Sequence, residues 1–201
     1  MSEQHVESRP LEYQSEQGRL NILGFWIFLA AELALFATLF ATYAVLFGRT
    51  AGAPEPGELF EAKDTLIMTF LLLTSSFTCG IAIHEMRRGA RNSLMTWLVI
   101  TLILGFCFLG FEVNEFATYV QEGATLQSSA FWSGFFILAG THGLHVTLGT
   151  VWMICLLIQL GQRGITKITS RKVFIIGLYW HFLDVVWIFI FTSVYLIGMV
   201  M

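Results

Sequence analysis

The sequence predicts an all-α integral membrane protein of five transmembrane helices, and three observations carry that expectation. Only 12% of the 201 residues are charged while 56% are hydrophobic, whereas a water-soluble domain carries about 25% charged residues. Too few polar side chains remain to cover a wetted surface, in keeping with a mean hydropathy of +0.71. The apolar residues also gather into five runs, at roughly 23–47, 65–83, 94–119, 130–160 and 173–201, each near the ~20 residues that a helix needs to cross a bilayer. Finally, these runs are apolar on all sides, whereas barrel strands alternate every second residue over about ten positions.

The same numbers remove several function classes. A soluble enzyme is excluded by composition. Nucleic-acid binding is excluded because the formal net charge is −3 and no basic stripe is present. Cys79, Cys107 and Cys155 lie singly in apolar runs, so they imply neither a disulfide framework nor a CxxC metal site.

Residues 1–20 read as a polar tail, expected to be loosely ordered up to Arg19, and residues 21–201 as a single bundle. The tail carries Glu3, Glu7, Glu12 and Glu16 and has no short apolar core or small-residue cleavage site, unlike a targeting peptide. The loops set the expected orientation. Arg87, Arg88 and Arg91 lie between spans two and three, and Arg163, Lys167, Arg171 and Lys172 between four and five. With five spans, both loops share a side with the tail. The opposite side has Arg49 and Lys63 in a loop rich in acid (Glu55, Glu58, Glu61, Asp64). Lys and Arg accumulate on the cytoplasmic face, so the N-terminus is expected in the cytoplasm and the C-terminus outside. The loop 48–64 is the longest outer excursion and an expected partner-contacting surface. No internal repeat is visible.

An ionisable side chain inside hydrocarbon needs a partner, a cavity or neutralisation. Glu32 lies roughly 13 Å above the cytoplasmic end of span one. Two readings stand for it: a proton-handling or headgroup-contacting acid, or a neutral acid hydrogen-bonded to a neighbouring helix. Glu112 and Glu115 share a helical face near the outer end of span three. Two readings stand for Glu112, a solvated helix end with Tyr119 as interfacial anchor or a link to a neighbouring helix or lipid, and Glu115 is expected to point at span four. His142 and His145 share a face of span four, where Ala139 and Gly143 form a small-xxx-small step for close backbone approach. His181 and Asp184 are one turn apart on span five and are placed to pair. In span two, Thr74-Ser75-Ser76-Phe77-Thr78 offers hydroxyls to carbonyls or to a neighbour. On span one Ala30, Ala34 and Thr38 predict a seam for close packing.

Imidazole is the commonest metal ligand, but a haem–copper centre needs more histidines than His142, His145 and His181. A bis-histidine haem would require similar depths, which His145 near mid-membrane and His181 roughly 12 Å from the cytoplasmic end match only loosely. His84 lies at a membrane edge and His5 in the tail. The expectation is no metal and no catalytic centre in this chain, with Glu112, Glu115, His142, His145, His181 and Asp184 linking helices or contacting lipid.

These residues also carry a family resemblance. Tyr179-Trp180-His181-Phe182-Leu183-Asp184-Val185-Val186-Trp187 closely resembles a signature of subunit III of the haem–copper respiratory oxidases. Phe135-Phe136 followed by His142-Gly143-Leu144-His145-Val146 is similar to a second, and Gly24-Phe25-Trp26 with Glu32 before Phe36 to the helix holding that family's buried carboxylate. The resemblance covers 24–198. Leu20-Asn21-Ile22-Leu23-Gly24-Phe25-Trp26 and His84-Glu85-Met86-Arg87-Arg88-Gly89 look most like the quinol oxidases of Gram-positive bacilli. Five spans match a short bacterial form lacking two N-terminal helices.

The resemblance implies a non-redox subunit of a complex that oxidises quinol, reduces oxygen to water and pumps protons across a bacterial plasma membrane. It implies haem and copper in subunit I, further partners in subunits II and IV, and a cleft holding phospholipids. It also implies a role in proton uptake and in durability under turnover. Cytochrome c oxidases of related bacteria have short third subunits too, so that donor stays open. The rival classes are a stand-alone proton carrier, which would usually show an internal repeat and broken helices, and a di-haem cytochrome.

Overall fold

The computed structural model describes residues 10–200. Five long helices follow one another: α1 Glu16–Leu46, α2 Ala62–Arg87, α3 Arg91–Gln121, α4 Ala130–Arg163 and α5 Lys167–Ile190. A π-helical turn, Phe191–Leu196, carries α5 on into Ile197–Val200. All five segments are long and apolar enough to cross a membrane, and no strand occurs among the described residues. The helices overrun the apolar runs because their ends are set by caps rather than by hydropathy. Ser15 Oγ accepts from Gly18 N, Ser129 Oγ from Trp132 N, and Thr166 with Thr169 forms a reciprocal capping box.

The tail departs from expectation. Residues 1–9 lie outside the described residues, but Leu11–Tyr13 form a 3₁₀ turn and α1 begins at Glu16. Glu12 is buried and bound to Arg87 at 2.9 Å, and the Arg87 guanidinium also lies over the Phe174 ring. Tyr13 meets Phe174 edge-on at 5.5 Å. Burial, with the Glu12 carboxylate beside it, pushes the Tyr13 phenol above its ordinary value. The start of the described chain is thereby clamped to α2 and α5. At the same end Arg91 donates to the Gly161 carbonyl at 2.5 Å, tying α3 to α4.

Helix α5 is the centre, packed against α1, α2 and α4, while α3 packs on α2 and α4. Helix α1 is peripheral. Its buried residues Ile22, Leu29, Phe36 and Tyr43 recur every seven positions, the spacing of a single narrow seam between near-parallel helices. Ala30, Ala34 and Thr38 lie on the exposed side, so the small-residue seam expected there faces outward. The bulky heptad stripe is what seats α1.

The acidic loop closes the other end. Trp132 Nε1 donates to the Pro54 carbonyl at 3.0 Å. Phe60 is buried against Tyr119, Trp132, Phe135 and Tyr195, with ring centroids 4.9 to 5.9 Å apart. Part of this loop is therefore a plug for its own bundle.

Candidate functional site

The polar side chains inside the spans form three separate interhelical links. The first joins α1 to α4. Nε2 of His145 lies 3.0 Å from Oε2 of Glu32, both side chains being about 15% exposed. His145 Nδ1 lies 2.7 Å from the Thr141 carbonyl oxygen. A carbonyl only accepts, so Nδ1 bears a hydrogen. A single further proton then joins Nε2 to the carboxyl, and the pair as a whole is neutral whichever partner holds it. The Phe36 ring packs tilted against the imidazole at 5.3 Å, and Tyr179 Oη donates to the His145 carbonyl. Glu32 is thus hydrogen-bonded across to α4.

His142 and His145 do share a side of α4 but serve different neighbours. His142 is fully buried and its Nε2–H donates to the Leu183 carbonyl at 3.2 Å, while Nδ1 has no hydrogen-bond partner.

The second link joins α2 to α5. Trp180 Nε1 donates to Ser75 Oγ at 3.0 Å and Trp187 Nε1 to Thr69 Oγ1 at 3.0 Å. Ser76 Oγ lies 2.7 Å from His181 Nδ1 and also interacts with the Asp184 carboxylate. The expected direct pairing of His181 with Asp184 is absent among the described residues. One turn of α5 does put both on one side, but that side faces Ser76, which takes the imidazole. The Trp180 ring slots between α3 and α4, where a Cβ on Gly105 would come within 2.9 Å of it and one on Gly149 within 3.1 Å.

The third link lies near the acidic loop. Glu115 accepts from Tyr119 Oη and Tyr195 Oη, each at 2.7 Å, so it points at α5's extension and not at α4. Tyr119 is buried rather than an interfacial anchor. Glu112 is buried too, against the solvated-end reading, with Oε1 lacking a hydrogen-bond partner. Its carboxyl lies over the Cα of Gly143, where any Cβ would overlap it. The small-xxx-small step on α4 therefore admits a carboxyl rather than a second backbone.

Among the described residues no group of three or more His, Cys, Asp or Glu side chains is placed to hold a metal ion. The pairings that sequence reasoning missed, Thr69 with Trp187 and Tyr195 with Glu115, have no local signal. The heptad spacing of Ile22, Leu29, Phe36 and Tyr43 does, and it pointed to the inward side of α1.

A multi-pass membrane protein with several polar side chains hydrogen-bonded between its spans is the class defined by this fold and these links. Residues 15–199 match the family model described as cytochrome c oxidase subunit III, and the chain belongs to that family. It is 67% identical over 190 residues to "Quinol oxidase subunit 3" of Bacillus spizizenii and 66% to the protein of the same name from Bacillus subtilis. In both cases the match covers 94% of this chain and 93% of the relative. A "Probable quinol oxidase subunit 3" of Staphylococcus epidermidis is 56% identical over 195 residues, covering 96% of this chain and 97% of the relative.

Proposed function

We propose that this chain is the third subunit of a proton-pumping haem–copper quinol oxidase in a bacterial plasma membrane, an accessory subunit with no reaction centre of its own. The observation that carries this reading is the match along 94% of the chain to two relatives named quinol oxidase subunit 3. In it, electrons pass from quinol to oxygen through haem and copper in subunit I. This chain braces subunit I, meets subunits II and IV, holds phospholipid in a cleft and supports proton uptake. The N-terminus lies in the cytoplasm, in accord with the gathering of Arg87, Arg88, Arg91, Arg163 and Arg171 at one end.

The proposed part of Glu32 and His145 is a neutral, proton-sharing tie that keeps α1 on the bundle beside lipid. Glu112, Glu115, His142, His181 and Asp184 are proposed to set the mutual rotation of α2 to α5.

The experiment is purification in mild detergent through a tag on this chain, with mass identification, an absorption spectrum and oxygen uptake driven by quinol or by reduced cytochrome c. A co-purified haem-bearing subunit with quinol-driven uptake is expected. Uptake from cytochrome c alone would transfer the reading to that donor, and a colourless chain isolated without partners would refute it.

A further inference from the structure

Between α2 and α5 a cavity of about 580 Å³ opens sideways from the bundle, with Ser76, Phe77, Gly80, His84, His181 and Asp184 in its wall. It runs along one stripe of α2, since positions 76, 77, 80 and 84 follow the helical repeat. Its mouth is apolar: Phe77 is 70% exposed, and Phe70, Leu73 and Val185 flank it. Its floor is polar. Asp184 lies midway along the 34-residue segment Lys167–Val200, and Ser76 near the middle of Ala62–Arg87, about 16 Å from Arg87, so both sit near the middle of segments that cross a hydrocarbon layer ~30 Å thick.

We infer that this groove seats a transmembrane helix of another oxidase subunit, carrying a hydrogen-bond donor opposite Asp184. The inference rests on the oxidase-subunit reading above and adds the surface. Three features on the wall point to that occupant. Asp184, itself only 7% exposed, borders the cavity with Ser76 and His181; Ser76 interacts with both, which leaves further acceptor sites on the carboxyl that acyl chains cannot satisfy. Backbone that fills a site at this level in lipid is helical, because every amide must be satisfied within its own segment. Ser76 and Gly80 form a small-xxx-small notch through which a second helix approaches closely, and a Cβ on Gly80 would meet nothing within 4 Å. The wall contains an acceptor in Asp184 but neither Lys nor Arg, so the complementary group is a hydroxyl, amide, indole or cation on the incoming helix.

Gly80 makes the test clean, because a Cβ there meets no atom of this chain within 4 Å. Gly24 on α1 and Gly110 on α3 are equally open and serve as controls. The tagged complex is purified from cells expressing wild type, Gly80→Leu, Gly24→Leu or Gly110→Leu, and haem recovered per mole of this chain is measured. Gly80→Leu is expected to lower recovery roughly tenfold, a factor within reach of an overpacked contact, while both controls match wild type. Recovery unchanged in Gly80→Leu, or an equal fall in all three, overturns the inference. A photoreactive benzoylphenylalanine in place of Phe77 is expected to cross-link to another subunit. Adducts only with lipid, or with a second copy of this chain, overturn it. Asp184→Ala is expected to weaken retention as well, and full retention would remove the donor from the proposal. Failure of the wild-type chain to recover any haem-bearing subunit would instead refute the oxidase reading itself.

Discussion

Glu32 and His145, 113 positions apart on α1 and α4, share one proton across 3.0 Å. The Thr141 carbonyl holds the other ring nitrogen in its protonated form, so the pair is neutral as a unit. An acid that would be expensive alone in hydrocarbon is therefore a tie between two helices.

That relationship predicts different outcomes for two substitutions of one residue. Glu32→Gln keeps a donor aimed at Nε2 and is expected to leave assembly intact with a modest loss of activity. Glu32→Ala and His145→Ala each strand a largely enclosed polar group, at a cost of up to about 1–3 kcal/mol. Thermal midpoints of the purified complex, with the double variant closing the cycle, check this. Equal midpoints for the Gln and Ala variants would contradict it.

Gly143→Ala is expected to destabilise the bundle by about 1–3 kcal/mol through overpacking, because the new methyl overlaps the Glu112 carboxyl. Combining it with Glu112→Ala should recover much of the loss. Detergent-resistant assembly of the single and double variants is the measurement, and failure of the second change to rescue the first would show another cause.

Tyr195→Phe removes one of two hydroxyls that donate to Glu115. A hydrogen bond to a carboxylate contributes roughly 1.5–3 kcal/mol, and Tyr119 remains as the other donor. A fall in thermal midpoint is expected for Tyr195→Phe and a larger one for the double variant with Tyr119→Phe. If the double variant is as stable as wild type, the network contributes nothing.

Arg87→Ala should release the N-terminal clamp. Glu12 would be left buried without its cation, so the segment ahead of α1 is expected to detach. Limited digestion by a Glu-specific protease should cut at Glu12 or Glu16 several-fold faster in the variant. Unchanged cutting would mean that the contacts of Tyr13 and Phe174 suffice.

Much of the architecture was legible along the chain. Five apolar runs gave five helices, because the cost of burying backbone in lipid acts on each segment separately. The candidate residues were legible as a set, since a polar group inside such a run always needs an explanation. Their partners were not. His181 was placed one turn from Asp184, yet Ser76 on another helix takes its Nδ1. For Glu112 water and a neighbouring helix both stood as readings, and the missing side chain of Gly143 lets α4 close over it. The tail was read as loose because its charges suggested solvent, although Glu12 in fact had Arg87 waiting on α2.

The sequence by itself determined the number and approximate extent of the spans, the family, and which side chains needed partners within the membrane. These follow from local sums of hydropathy and from short motifs, which require no knowledge of the neighbours. Only the tertiary structure decided the pairing of Glu32 with His145, of Ser76 with His181 and of Glu115 with Tyr195. Each pairing depends on how two helices are rotated about their axes, and that rotation is set by all the contacts together. At Tyr195 it also follows a π-helical turn, which shifts the side-chain register relative to an unbroken α-helix. The groove between α2 and α5 at Gly80 has the same origin, being a side of α2 left open among the described residues.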